Sequence, residues 1–138
     1  MSQSRRRDDD IKKVSGIETR IIQHISEIDS FKRYPANLLV EDADNLAKSI
    51  QDGLRASQLR RIFVEVKKID MNFRKGSFDP DRVILLKPRL VYAASKKPEV
   101  APIKNIFIKC IDKISDFEDF TKFVTFFEAI LAYHSEGK

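Results

Sequence analysis

The chain has 138 residues, with Lys+Arg 26 against Asp+Glu 21 for a net charge of +5, and is 42% hydrophobic. That length suits one domain, and a single cysteine, Cys110, rules out an internal disulfide framework. No run approaches the roughly 18 apolar residues of a membrane span, while 4 Gly, 5 Pro and scarce β-branched alternation predict an all-α fold, a compact bundle of about five helices.

Residues 1–14 are polar, with "RRR" running straight into "DDD". They carry too little apolar surface to offset the entropy of ordering, so a flexible tail is expected there and a single helical domain over 15–138. The positive charges have no apolar segment behind them, so no secretory signal is expected and the cytoplasm is the expected location. A first helix is predicted from about Gly16, on the stripe Ile17, Ile21, Ile25 and Ile28, and is ended or interrupted at Tyr34-Pro35. A second should run from about Glu41 to Asp52 on Ala43, Leu46, Ala47 and Ile50, with Gly53 past its end.

The third predicted helix is "SQLRRIFVEVKKIDMNFRK", residues 57–75, with Ser57 as N-cap and Gly76 as breaker. Asp79-Pro80 reads as a restart. "RVILLKPRLVYAASKK" is helical in pattern but contains Pro88, which either kinks a helix or lies near the start of a new one. Pro98 and Pro102 bracket a connection before the stripe Ile103, Phe107, Cys110, Ile111 and Ile114. Ser115 and Glu118 have capping-box spacing. Behind them, Phe117, Phe120, Val124, Phe127 and Leu131, with Phe123 and Ile130 beside them, form a stripe that reads as core.

The third helix carries the charge pattern. With Arg60 at zero and about 100° per residue, Leu59, Ile62, Phe63, Val66, Ile69 and Phe73 fall between about 180° and 300°. Arg60, Arg61, Lys67, Lys68, Arg74 and Lys75 fall between about −40° and 100°, nearly opposite. Glu65 lies between the two arcs and Asp70 falls at the edge of the apolar one, so the expectation is a cationic ridge free of acid. Members of each basic series are about 10 Å apart, near the Debye length. Their repulsion goes unrewarded unless a polyanion neutralises them and releases counterions. The simpler reading is a solvated face, but such faces mix signs. From Arg55 to Lys97 there are 12 Lys/Arg against 4 Asp/Glu, and Arg82, Lys87, Arg89, Lys96 and Lys97 continue the trend beyond the helix. That balance favours nucleic acid.

Two other classes compete. A helical DNA-binding regulator would need base-reading polar side chains at the helix N-terminal end, where only Gln58 stands. A protein–protein interaction module would dock the same face on an acidic partner. With Phe63 and Phe73 turned inward, no aromatic interrupts the basic face, which suits sequence-tolerant backbone binding over base stacking. Catalytic motifs are missing: His24 and His134 are far apart, Cys110 reads as core, and the three tail aspartates do not converge on a metal. His134 near a helix C-terminus suits the dipole there. No cofactor, no metal and no enzymatic activity are expected.

Three blocks, "SQLRRIFVEVKKI", "LLKPRLVYAA" and "FFEAILAYH", resemble in order and spacing those of the small subunit of the type III-A CRISPR–Cas effector, the Csm complex. The likeness covers roughly residues 40 to 134; the first 35 residues match no block. It implies a non-catalytic helical protein of an antiviral ribonucleoprotein, stacked along the complex beside the repeated backbone subunits. Its implied partners are guide RNA and target RNA, the other subunits, and further copies of itself. The blocks fall on Ser57, Gln58, Leu59 and Arg60, and on Leu86, Lys87, Pro88 and Arg89. The resemblance thus points to RNA-backbone contact by Arg60, Arg61, Lys67, Lys68, Lys87 and Arg89, and to core positions for Leu59, Phe63, Tyr92 and Phe127.

Overall fold

The phenylalanines near the C-terminus organise the molecule. A computed structural model describes residues 2–136, with side chains over 14–135. Its helices are α1 (Ser2–Ser26), α2 (Ala36–Ile50), α3 (Ala56–Lys75), α4 (Pro80–Ile84), α5 (Leu86–Lys96), α6 (Ala101–Ile111) and α7 (Phe117–Glu136). Single 3-10 turns occupy Phe31–Arg33 and Pro98–Val100, and no strand occurs among the described residues. The all-α bundle is therefore as expected, with α4 a short turn leading into α5.

Along α7, Phe120, Phe123, Val124, Phe126, Phe127 and Ile130 are all buried. They span about 160° of the helix, wide enough to be covered from more than one side. α2 and α3 supply two of those sides and the 3-10 turn at Phe31 supplies a third. α1 packs across α2 and α6, and α5 packs on α6. Aromatic edges meet faces throughout the centre: Phe107 lies 4.8 Å from Phe127 and 5.0 Å from Phe123, and Phe31 lies 5.4 Å from Tyr34. Cys110 is buried in this core, where desolvation holds its thiol pKa well above the ordinary value.

Several boundaries move. α1 starts at Ser2 and passes through the expected start at Gly16, where the helix leaves open space around the glycine. The flexibility expected of residues 1–14 falls almost wholly on side chains outside those described. α1 ends at Ser26, before Tyr34-Pro35, and α2 begins directly after Pro35, whose extended backbone serves as N-cap. Leu86 opens α5, so Pro88 sits in its first turn, where a missing N–H costs nothing; the helix does not kink there.

The cap of α7 is shifted by one residue from Ser115/Glu118. Asp116 Oδ1 accepts the Asp119 N–H at 2.8 Å, and buried Asp119 accepts the Ser115 N–H at 2.9 Å, its hydroxyl at 3.1 Å and the Lys32 N–H at 2.9 Å. His134 is buried and donates from Nε2 to the Leu54 carbonyl at 2.7 Å, joining the last turn of α7 to the α2–α3 connection. A second buried polar tie links α1 to α2. Asp42 accepts the Tyr34 hydroxyl and lies 2.8 Å from His24 Nδ1. Burial first, then the Asp42 hydrogen bond and charge, drive the Tyr34 pKa far above its ordinary value and keep the phenol a donor.

Candidate nucleic-acid interface

α3 is wedged between two neighbours. Leu59, Val66, Ile69 and Phe73 are buried, and Phe63 packs edge-on against Phe127 at 5.0 Å, as the apolar arc requires. Toward α4 and α5, three α3 residues at steps of seven make ties. Gln58 Nε2 donates to Glu99 at 2.8 Å, Glu65 accepts Arg89 at 2.5 Å, and the Asn72 amide, when turned to put its oxygen toward Arg82, accepts the guanidinium at 3.0 Å. Partner numbers fall as α3 numbers rise, so the two stretches run antiparallel. Beneath the Glu65–Arg89 pair lies a cleft of about 290 Å³, walled by Ile62, Val66, Leu86 and Leu90 and floored by Phe107 and Phe123.

Gln58 is occupied at both ends. Its amide oxygen accepts the Arg55 N–H at 2.8 Å, closing the first turn of α3, which begins at Ala56 and places Ser57 inside the helix instead of at its cap. The Gln58 hydrogen bond, ahead of the Lys97 and Arg55 charges, holds Glu99 below the ordinary carboxylate pKa. The one side chain placed to read a base edge is therefore committed to the fold.

The outward crest of α3 exposes Arg60, Arg61, Lys68, Arg74 and Lys75. Arg60 and Arg61 make no ion pair among the described residues. The other four nominated cations do. Lys67 lies 3.7 Å from Asp70 and 3.8 Å from Glu128, Lys68 lies 4.0 Å from Glu65, Arg89 lies 2.5 Å from Glu65, and Lys87 lies 2.5 Å from Asp112. The expectation of a ridge free of acid is thus corrected. A helical wheel counts only its own helix and draws side chains as spokes. Here Glu128 and Asp112 arrive from α7 and the end of α6, and Glu65 sits only about 40° from Arg61. Buried Asp70 also draws Arg74 to 3.0 Å, turning that guanidinium toward α7 and over the Phe117 ring at 5.7 Å.

The nominated residues are only partly brought together. Arg61, Lys68 and Arg89 line the clefts between α3 and α5, and Arg60 stands on the exposed crest of α3 beside them. Lys67 leans toward α7, and Lys87 leaves α5 on the side of Asp112, away from Arg89. Tyr92 departs furthest from expectation: assigned to the core, it is 65% exposed. Because α5 starts at Leu86, its core face is Leu86, Leu90, Ala93 and Ala94, and Tyr92 lies on the opposite side. Two further residues escaped the sequence reading. Val64 and Met71, 51% and 52% exposed, stand inside the cationic arc between its two basic rows. Their own step of seven was visible in the sequence.

No helix of the described residues is long and apolar enough to cross a membrane. Comparison with curated proteins and comparison with solved structures each returned no match. A family model described as Csm2 Type III-A matches residues 33–138, which takes in the whole α3–α5 surface and both helices that flank it. The chain belongs to that family, the small subunits of the type III-A Csm complex.

Proposed function

We propose that this subunit is non-catalytic and holds the backbone of the guide–target RNA pair from the exposed surface shared by α3 and α5, without reading sequence. The observation that carries the proposal is the Arg60–Arg61 pair, two neighbouring exposed guanidiniums with no carboxylate partner among the described residues. Lys68 and Arg89 extend the grip, with Lys67 and Lys87 at its margins. Their present partners do not argue against this role. An exposed ion pair contributes only about 0–1 kcal/mol, so a phosphate can replace Glu65 or Glu128 at little net cost. Phosphates also release counterions, which an intramolecular carboxylate does not. Contacts of this kind position a nucleic acid and are blind to its bases.

The same reading gives the chain guide RNA and target RNA as ligands, the other Csm subunits and further small subunits as neighbours, and the cytoplasm as its place of work. The test is the charge reversal Arg60→Glu/Arg61→Glu in the reconstituted complex. Loss of RNA affinity with assembly intact supports the reading. Loss of assembly with RNA affinity unchanged means the face docks protein, and the proposal falls.

A further inference from the structure

The geometry points to Tyr92 as a stacking platform for an unpaired base of the bound strand, which adds base contact to the backbone grip proposed above and rests on that reading. Three observations lead there. First, the ring stands 65% exposed on a helix whose other face buries Leu86 and Leu90. A tyrosine left this open gains little from packing. Second, its surroundings are cationic. Lys96 Nζ sits 5.5 Å from the ring centroid, and on α5 Arg89, Tyr92 and Lys96 fall within about 60° of one another. Lys96 and Lys97 make no ion pair among the described residues. A protein-binding patch centred on tyrosine would be depleted in charge at its core, whereas an exposed ring with Lys96 against it and Arg89 one turn away suits a base attached to its phosphates.

Third, the placement fits the backbone grip. α5 runs antiparallel to α3 between the Glu65–Arg89 and Gln58–Glu99 ties. Tyr92, one turn beyond Arg89, therefore lies alongside the Arg60–Arg61 end of α3, where the unpaired cations are. Arg61 lines the same cleft as Arg89 and Ala93 of α5, so a strand held on Arg61 would run beside the ring. Every base has a π-face, so such a platform leaves the subunit tolerant of sequence while favouring unpaired over fully paired stretches.

The full-length protein is titrated with a short single-stranded oligoadenylate and with the same oligomer built from abasic units. Tyr92→Ala, Tyr92→Phe and Arg60→Ala/Arg61→Ala are compared with the unsubstituted chain across a range of salt. Tyr92→Ala is expected to weaken binding of the base-bearing oligomer about tenfold while leaving the slope of log affinity against log salt unchanged, because the same cations still neutralise the same phosphates. Tyr92→Phe keeps full affinity, and the abasic oligomer binds the unsubstituted chain and both Tyr92 variants about as weakly as the base-bearing oligomer binds Tyr92→Ala. There are 3 tyrosines and no tryptophan, and Tyr34 is buried, so quenching of tyrosine emission on binding gives a second readout that Tyr92→Ala should diminish.

Equal affinity of the unsubstituted chain for both oligomers, or unchanged affinity in Tyr92→Ala, overturns the stacking role. So does a Tyr92→Ala protein that loses only self-association in sedimentation, since the face would then belong to a second copy. If Arg60→Ala/Arg61→Ala weakens binding and flattens the salt slope while Tyr92→Ala does neither, stacking alone fails. If neither variant changes affinity, the RNA-binding reading fails with it.

Discussion

Glu65 stands at the middle of the proposed surface and holds two of its cations, Arg89 at 2.5 Å through Oε2 and Lys68 at 4.0 Å through Oε1. In the absence of RNA it reduces their repulsion; in its presence it competes with phosphate for both. Glu65→Gln keeps the side-chain volume and removes that competition. Affinity for single-stranded RNA should rise about threefold, read by fluorescence anisotropy at one fixed salt concentration, and a fall in affinity would mean that Glu65 orders the site instead of restraining it. Residue-scale features of this kind were the least legible in the sequence. Glu65 was visible as an acid between two arcs, but its partner Arg89 comes from 24 positions away. Likewise, nothing local marks the contact of His24 with Asp42, 18 residues apart, or the exposure of Tyr92, which depended on where α5 begins.

At the scale of elements, hydrophobic periodicity was a sound guide and termini were not. The stripes of α2, α3, α6 and α7 are core as their spacing requires, because burying a face on α7 rewards every residue of it. The capping of α7 was off by one. "SDFED" contains two frames one residue apart, Ser115/Glu118 and Asp116/Asp119, and the choice is made by the Lys32 amide, which only Asp119 reaches. That end of the helix carries an ion pair whose two members are shifted in opposite directions. Lys32 Nζ donates to Asp116 at 2.5 Å; this bond, ahead of the Asp119 amide, holds the Asp116 pKa below its ordinary 3.8. The same bond raises the Lys32 pKa above 10.5. A depressed carboxylate contributes stability that is present above its unfolded value and lost as pH falls through the folded one. A raised ammonium contributes below its unfolded value and loses that contribution as pH rises through the folded one. Asp116→Asn keeps a capping oxygen but removes the charge. Its urea midpoint should fall less steeply than the parent's as pH drops below 3.8 and as it rises above 10.5; identical profiles would place the pH sensitivity elsewhere.

Across the whole molecule, the basic excess between Arg55 and Lys97 was plain from the sequence, as was the all-α class. What the charge count could not reveal was its compensation by acids of other helices, since Glu128 and Asp112 lie outside the basic stretch and come near it only by folding. The surface that remains most available is narrower than the ridge that periodicity alone predicts: the Arg60–Arg61 end of α3, with Lys68 and Arg89 beside it. Membership of the Csm2 Type III-A family makes the chain a small subunit of the Csm complex, and the charge layout is the basis on which we propose the side that meets RNA.

The most direct measurement is the salt dependence of affinity for two RNAs of unrelated sequence, made on the unsubstituted chain and on Arg60→Ala/Arg61→Ala. Both RNAs should bind alike. The slope of log affinity against log salt should shrink by about 1.4 in the double variant, at roughly 0.7 for each single-strand phosphate that the arginines no longer neutralise. A marked preference for one RNA, or a slope that the two substitutions leave unchanged, would contradict the backbone grip.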